Sequence, residues 1–396
     1  MFEQRARIER LTIEPGRRIL VIADAHANLP YLNALLEKAR FGGDDLVIFD
    51  GDFLEKGAQS LDTLHLVMRL CAEGRAKAVC GNCDEWAEIF SMSPEEDRRI
   101  REYVLWRGCG LVWDMAEAIG RSVTEEDFTS LKAALRKAFP AEWDFLGRIP
   151  HAIETEHFMF AHAGVHADKP LEAHSAHELV KYDNFLRSSE RFDKWVVVGH
   201  WPVVLYGESI VNANPIVDRA RHIISIDGGC VLKDDGQLNA LVIPQEDSED
   251  FSFVSYDPFP TARVLRDQPG GGRSYYIRWG DSEVQVLRRG GEFSLCRHVR
   301  TGYEMEILTK YLYSDREITT CNDCTDYVLP LRRGDTVSIV ERTSRGFLPS
   351  TRACPAGISA SWRRNEDAGA PRSPVGAPAC LLRGHERLSL CDDGRR

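Results

Sequence analysis

Residues 17–84 read RRILVIADAHANLPYLNALLEKARFGGDDLVIFDGDFLEKGAQSLDTLHLVMRLCAEGRAKAVCGNCD. The apolar, β-branched runs Arg18–Ala23, Leu46–Phe49 and Ala76–Cys80 predict three strands. Leu29–Lys38, with Pro30 at its start and Leu32, Leu35 and Leu36 at helical spacing, predicts a helix, as does Ser60–Ala72. A βαβαβ order implies a largely parallel sheet with helices on its faces. Each strand stops at side chains that bind metals: Asp24-Ala25-His26, Gly51-Asp52 and Gly81-Asn82-Cys83-Asp84. Further on, HFMFAHAG brings a strand to His162, and KWVVVGH brings another to His200. Groups at the C-terminal edge of such a sheet share one crevice, here lined by oxygen and nitrogen donors.

Taken singly, these pieces are common. An Asp-x-His pair caps many strands, Gly-Asp fills many turns, and a lone histidine is usually a satisfied core residue. Their occurrence together, each at a strand end, is the signal. The arrangement predicts two divalent cations, with Asp24, His26 and Asp52 on one and Asp52, Asn82, His162 and His200 on the other. A shared Asp52 carboxylate suits the separation of about 3.5–4 Å found in two-metal sites. The mixed oxygen and nitrogen donors suit manganese, iron or zinc better than calcium.

The 50 basic and 61 acidic residues leave a net charge of -11, which argues against a nucleic-acid footprint. No run of eighteen apolar residues marks a membrane span, and the charged MFEQRARIERLTIEPG lacks the apolar centre of a signal peptide. Eleven scattered cysteines form no disulfide framework, so reduced thiols and a cytoplasmic location are expected.

Along the chain, residues 1–250 are expected to form the first domain. Residues 86–150 make a helical insertion within it, either a lid over the crevice or a packing element. His222–Pro244 reads as a hairpin turning at Asp234-Asp235-Gly236. The acidic QEDSED after Pro244 suggests a boundary, beyond which residues 251–350 are β-rich. Residues 351–396 lose all periodicity and are expected to be a disordered tail. Cys321-Asn-Asp-Cys324 is either a pair of thiols in a β turn or half of a zinc site completed by Cys296 and His298.

The blocks D-x-H, G-D, G-N-C-D, H-A-G and G-H resemble those of the calcineurin-like metallophosphoesterase superfamily. GDFLEKG, GHWP and IDGGCVLKDDGQLNAL are similar to its serine/threonine phosphoprotein phosphatase and symmetrical diadenosine-tetraphosphatase branch. The resemblance covers about residues 17–244. It implies an α/β fold of layered mixed sheets flanked by helices, and an enzyme that hydrolyses phosphate esters with a water shared by two metals. Residues 327–346, around Gly334-Asp335, resemble bacterial SH3-like modules, implying a small all-β domain able to dock a protein or peptide.

Three departures from that branch bear on chemistry. Cys83 stands where the resemblance implies a histidine that protonates the leaving group. It is either a weakened acid, costing on the order of 10²–10⁴-fold on difficult monoesters, or simply a small buried residue. Glu55 and Lys56 stand in place of the Asp-Arg of D-R-G, and lysine cannot make the bidentate fork. No motif supplies the second phosphate-binding arginine: Arg187 and Arg191 lie in the right interval before His200, and each is either that arginine or a solvated helix residue. Asp227 either orients a metal ligand or belongs to a glycine-flanked turn. The expected substrate is a phosphorylated small molecule or phosphoprotein. The alternatives are a phosphodiesterase or dinucleoside-polyphosphate hydrolase, and an inactive partner-binding scaffold.

Overall fold

The computed structural model describes residues 4–207, 211–315, 318–349 and 362–363. The expected disordered tail, 351–396, therefore lies outside the described residues except for Trp362–Arg363.

The strands Ile19–Ile22, Leu46–Asp50 and Ala76–Val79 pair in parallel, as the βαβαβ reading predicts. Leu238–Ile243 pairs antiparallel with Ile19–Val21, and Ser252–Tyr256 pairs antiparallel with it in turn, completing a five-stranded sheet. A second, six-stranded sheet runs in the order Ile8–Arg10, Ala152–Glu154, Phe158–Phe160, Trp195–Val198, Ile223–Ser225 and Ile216–Asp218.

Side-chain alternation explains why the two sheets stack. Ile19, Val21 and Ala23 point one way, into a core shared with Phe158, Phe160 and Val197 of the other sheet. Leu20 and Ile22 point the opposite way and join a core built with helices. A strand with both faces buried must be apolar at every position, which is why ILVI shows no polar alternation.

The helical insertion belongs to that second core. Its helices Trp86–Ser91, Asp97–Arg107, Leu111–Ala118, Phe128–Ala138 and Pro140–Arg148 contribute Trp86, Phe90, Ile100, Val104, Leu111 and Leu131 to it. Asp127 starts the fourth of these, its carboxylate accepting from Ser130 N at 2.9 Å. Inside the insertion, Lys132 Nζ pairs with Asp97 Oδ1 at 2.7 Å, and both are buried.

The expected hairpin at His222–Pro244 is not formed. Ile223–Ser225 and Leu238–Ile243 lie in different sheets, and the chain crosses between them through Asp227 and the glycines after it. Both strands are apolar and buried on both faces, so each inserts among other strands instead of pairing with its sequence neighbour.

The C-terminal region is all β. It holds a three-stranded sheet of Val284–Arg288, Phe293–His298 and Glu304–Leu308, with shorter sheets around it. Thr261–Val264 pairs with Thr336–Ser338, and Gly346–Pro349 with Thr336–Thr343. Cys321 Sγ and Cys324 Sγ lie 3.9 Å apart beside a core containing Cys296. The His298 ring is engaged by Thr301 Oγ1 and Asp281 O, which favours plain thiols over the zinc alternative.

Candidate metal centre

Every strand end named above delivers its side chain to one buried place. His26 Nε2 lies 3.7 Å from Asp24 Oδ1 and 3.9 Å from Asp52 Oδ2. His162 Nε2 lies 3.3 Å from Asp52 Oδ1, so Asp52 stands between the two histidines. Asp24, Asp52 and His162 form one group able to hold a cation, and His26, Asp52 and Cys83 form another. The His200 ring packs edge-on against His162 at 5.2 Å, and the His200 N–H donates to Asp24 Oδ2 at 2.9 Å.

The backbone is bent to achieve this. Asp24, His26, Asp52, Glu55, Lys56 and His200 all have positive φ, a conformation that costs energy for residues with a Cβ. Glycines supply the clearance. A Cβ on Gly199 would overlap Asp24 Oδ2 and lie 2.6 Å from Ala23 Cβ, and one on Gly81 would overlap the Asp52 backbone and carboxylate. Gly81 and Gly199 are therefore required by the side chain of another motif, as is Gly51, whose Cβ would collide with the His162 ring.

Asp84, the last residue of GNCD, anchors the loop that carries Asp52. Its carboxylate accepts from Asp52 N at 2.7 Å, Gly81 N at 2.9 Å and Leu54 N at 3.1 Å. Cys83 N donates to Asp52 Oδ1 at 2.7 Å. His26 Nδ1 lies 3.4 Å from Leu54 O, and His162 Nδ1 lies 3.0 Å from Asp50 O. Those carbonyl contacts turn the Nε2 atoms of both rings toward Asp52.

Burial decides the electrostatics. It pushes the Asp24 carboxyl up strongly, and repulsion from Asp227 and Asp52 adds to this. Asp227 is raised to about 6, again mainly by burial. For Asp52 burial acts upward too, but His162, Lys56 and His26 outweigh it and hold the carboxyl low. Burial lowers His26 and His200, and lowers His162 to about 4, leaving neutral imidazoles with lone pairs to give. Burial also keeps the Cys83 thiol protonated, reinforced by the Asp52 charge.

Among the buried atoms of the described residues that lack a hydrogen-bond partner are four on residues of this region: Asp24 Oδ1, Asn82 Oδ1, His162 Nε2 and Asp227 Oδ2. Each carries a lone pair, and leaving one buried polar group unsatisfied costs about 1–3 kcal/mol. Divalent cations would satisfy all of them and relieve the repulsion among Asp24, Asp52 and Asp227. The residues fit such a cofactor.

The other sequence candidates divide. Lys56 Nζ enters the centre, 3.1 Å from His26 Nε2 and 3.7 Å from Asp52 Oδ2. Glu55 turns away. Its Oε1 accepts from Trp86 Nε1 at 3.0 Å and Leu111 N at 2.7 Å, tying the helical insertion down. Asp227 Oδ1 accepts from Gly229 N at 2.8 Å, while its other oxygen stays unpartnered beside Asp24. Arg187 and Arg191 are not brought in: Arg187 Nη2 donates to Tyr206 O at 3.3 Å and Arg191 Nη1 to Ala220 O at 2.8 Å, both on exposed side chains. Exposed loop residues gain more from nearby carbonyls than from crossing to a buried site.

Sequence reading missed Lys181 and Asp183. Asp183 Oδ1 lies 2.9 Å from His200 Nε2 and Lys181 Nζ lies 3.4 Å from the same atom. Neither sits in a motif. Asp84 carried a signal, because it closes the GNCD block.

The C-terminal region packs beside this centre. Trp279 lies edge-on to Trp201, the residue after His200, at 5.8 Å. Tyr276 OH donates to Asp323 Oδ2 at 2.9 Å, which also pairs with Lys233 Nζ at 2.6 Å. Arg278 Nη1 donates to Gly207 O.

Among solved structures, one described as a "putative diadenosine tetraphosphatase" is 21% identical, with a TM-score of 0.42, covering 64% of this chain and 99% of that one. A metallophosphoesterase from Sphaerobacter thermophilus is 18% identical, with a TM-score of 0.35, covering 61% and 89%. A serine/threonine phosphatase from Saccharomyces cerevisiae is 9% identical, with a TM-score of 0.37, covering 64% and 84%. No curated protein matches the chain. The model of the calcineurin-like phosphoesterase family matches residues 17–227, more than half of the sequence. The chain belongs to that family, and it is a phosphoric ester hydrolase.

Proposed function

We propose that this protein hydrolyses phosphomonoesters, of small molecules or phosphoproteins, with two divalent cations held by Asp24, His26, Asp52, Asn82, His162 and His200. The observation that carries the reading is the buried grouping of Asp24 and His162 with Asp52, in which Asp24 Oδ1 and His162 Nε2 lack hydrogen-bond partners. When bound, such cations polarise phosphoryl oxygens and make water acidic enough to attack at neutral pH.

The protein's own residues do the rest. Asp84 fixes the loop, so Asp52 is presented in one orientation. Lys56 adds positive charge beside Asp52, where a phosphoryl oxygen would gather negative charge. Asp183 orients His200. Asp227 faces Asp24 and tunes its charge. The buried thiol of Cys83 holds its proton tightly and is a poor general acid. Substrates with good leaving groups are therefore favoured.

That last point supports a second reading, a phosphodiesterase or dinucleoside-polyphosphate hydrolase, because anionic leaving groups of low basicity need no proton. We assign the catalytic unit to residues 1–250 and a substrate-placing or docking module to 251–350, a role supported by the contact of Trp279 with Trp201. We also assign the protein to the cytoplasm. No helix among the described residues is long and apolar enough to cross a membrane.

The test combines metal analysis with hydrolysis of an aryl monoester and an aryl diester in Mn²⁺, for wild type and Cys83→His. Two transition-metal ions per chain and monoester turnover that rises in Cys83→His alone are expected. Fewer than one ion per chain would favour the inactive scaffold, and no change in either turnover would remove the missing-acid argument.

A further inference from the structure

Cys321-Asn322-Asp323-Cys324 lies outside the metal centre, in the all-β region. Strand Ile318–Cys321 ends on one cysteine and strand Cys324–Thr325 begins on the other, so two residues bridge them. Neighbouring strands fix both ends of the bridge. Cys321 pairs with Leu312 and its N–H donates to Ser282 O at 3.1 Å, while Cys324 pairs with Ile277. The two sulfurs lie 3.9 Å apart, beside a core that holds Ile277, Val284, Cys296 and Ile307. Among the described residues, no third histidine, cysteine or carboxylate joins the pair closely enough to hold a metal ion.

The bridge is where this region grips residues 229–236. Asp323 Oδ2 pairs with Lys233 Nζ at 2.6 Å and accepts from Tyr276 OH at 2.9 Å. Asn322 Nδ2 donates to Asp234 Oδ2 at 3.3 Å. The Lys233 and Asp323 side chains are 13% and 20% exposed, so their pairing is better shielded than that of an ordinary surface ion pair. Tyr276 packs in turn with Val204, Leu205, Val211 and Ala213. Lys233 N donates to Gly229 O at 3.0 Å, and Gly229 N to Asp227 Oδ1 at 2.8 Å, so the contact continues to the loop that carries Asp227. How firmly the β region sits here depends on the conformation of two residues flanked by two thiols.

We propose that Cys321 and Cys324 form a reversible disulfide by exchange with a small-molecule disulfide such as oxidised glutathione, and that closing it fixes Asn322 and Asp323 on residues 233–234. Cys324 is half-buried and Cys321 buried, so Cys324 reacts first. Its thiol gives its proton to water, and the sulfur attacks one sulfur of the glutathione disulfide. A mixed disulfide forms, and one glutathione leaves as a thiolate that takes up a proton. Cys321 then loses its proton and attacks Cys324 Sγ, expelling the second glutathione. Two electrons pass from the cysteine pair to the reagent, and two reduced glutathiones are released. Exchange is slow, because the hydrogen bond with Cys321 and burial hold the Cys324 thiol well above its ordinary value. In a reducing compartment the bond is transient and reports oxidant, and it is not a permanent brace. Closing so short a loop corresponds to about tenfold or more in the equilibrium against local opening.

The experiment takes the full chain through glutathione buffers from fully reduced to mostly oxidised, traps free thiols by alkylation and maps them by mass spectrometry. Hydrogen exchange is read in the same samples over residues 318–327 and 229–236. Wild type should lose two alkylatable thiols, both in the peptide carrying Cys321 and Cys324, and dithiothreitol should restore them. Exchange over both segments should slow by about tenfold on oxidation. Cys321→Ser and Cys324→Ser should abolish both effects, and Cys71→Ser, outside the pair, should behave as wild type. Lys233→Ala should keep the disulfide but lose the slowing over 229–236. Two free thiols at every glutathione ratio, or glutathione left on Cys324 without an internal bond, would overturn the proposal. So would a zinc ion carried by the purified protein and released when these two thiols are alkylated. A disulfide that forms while exchange over 229–236 stays unchanged would overturn the gripping role. The wild-type titration decides these points even where a variant fails to fold.

Discussion

Replacing Gly199 with alanine adds one methyl group at the point where two of the proposed metal-binding motifs touch. The backbone of Gly199 is outside the left-handed region, so alanine is conformationally allowed and the effect is steric. The new Cβ would lie 2.6 Å from Ala23 Cβ and closer still to Asp24 Oδ2. Both neighbours are buried, Asp24 with 1% exposure, so neither has room to move. Overpacking a tight core costs about 1–3 kcal/mol. The same carboxylate oxygen accepts from His200 N at 2.9 Å, and breaking that bond costs about 0.5–1.5 kcal/mol in metal-free protein, or about 1.5–3 kcal/mol where bound cations keep Asp24 charged. The two costs are partly exclusive, because moving Asp24 away relieves the clash while breaking the bond. The expected destabilisation is therefore about 2–4 kcal/mol, below the sum. Urea unfolding of metal-free and Mn²⁺-loaded protein measures it, with metal content determined in parallel. The loaded form should lose more, because Asp24 and His200 are displaced together. Gly42→Ala is the control, since a Cβ there meets nothing within 4 Å. If Gly199→Ala unfolds within about 0.5 kcal/mol of wild type and binds metal normally, the idea that glycine clears space for a ligand is wrong.

Other outcomes follow from the same geometry. In metal-free protein, Asp24 is raised and Asp227 is raised to about 6, so the native state binds protons that the unfolded chain releases. Stability should fall as pH rises from about 4 through about 6, by roughly 3 kcal/mol for Asp227, and denaturant curves with Mn²⁺ should lose that slope. Glu55, raised to about 7 by burial, adds a fall between about pH 4.5 and 7. Glu55→Gln keeps the acceptor for Trp86 and Leu111, and its stability relative to wild type should increase with pH across that window. A constant difference would show that Glu55 ionises normally. Saturating Mn²⁺ at about a hundred times its Kd should stabilise the protein by about 2.7 kcal/mol, and a melting temperature indifferent to Mn²⁺ and EDTA would contradict the metal centre. Lys132→Ala strands the buried Asp97 carboxylate and should cost about 3–5 kcal/mol in unfolding experiments, while also removing Asp97 should recover much of it.

Much of this was legible in the chain itself. Continuous apolar runs such as ILVI and WVVV announce strands buried on both faces, and the rule that functional side chains gather at strand ends pointed to the place where Asp24, Asp52, His162 and His200 lie together. These are local signals, written within five or six residues. What tertiary structure alone decided depends on contacts between distant segments. Glu55 looks like a site residue from GDFLEKG, yet Trp86 and Leu111 draw it into the packing of the helical insertion. Ile223–Ser225 and Leu238–Ile243 look like a hairpin, yet each is claimed by a different sheet. Arg187 and Arg191 have the right spacing but find carbonyls at the surface. A residue type and its interval specify what a side chain can do. Which partner it meets is settled by the burial of helices against a sheet, and no short stretch of sequence records that.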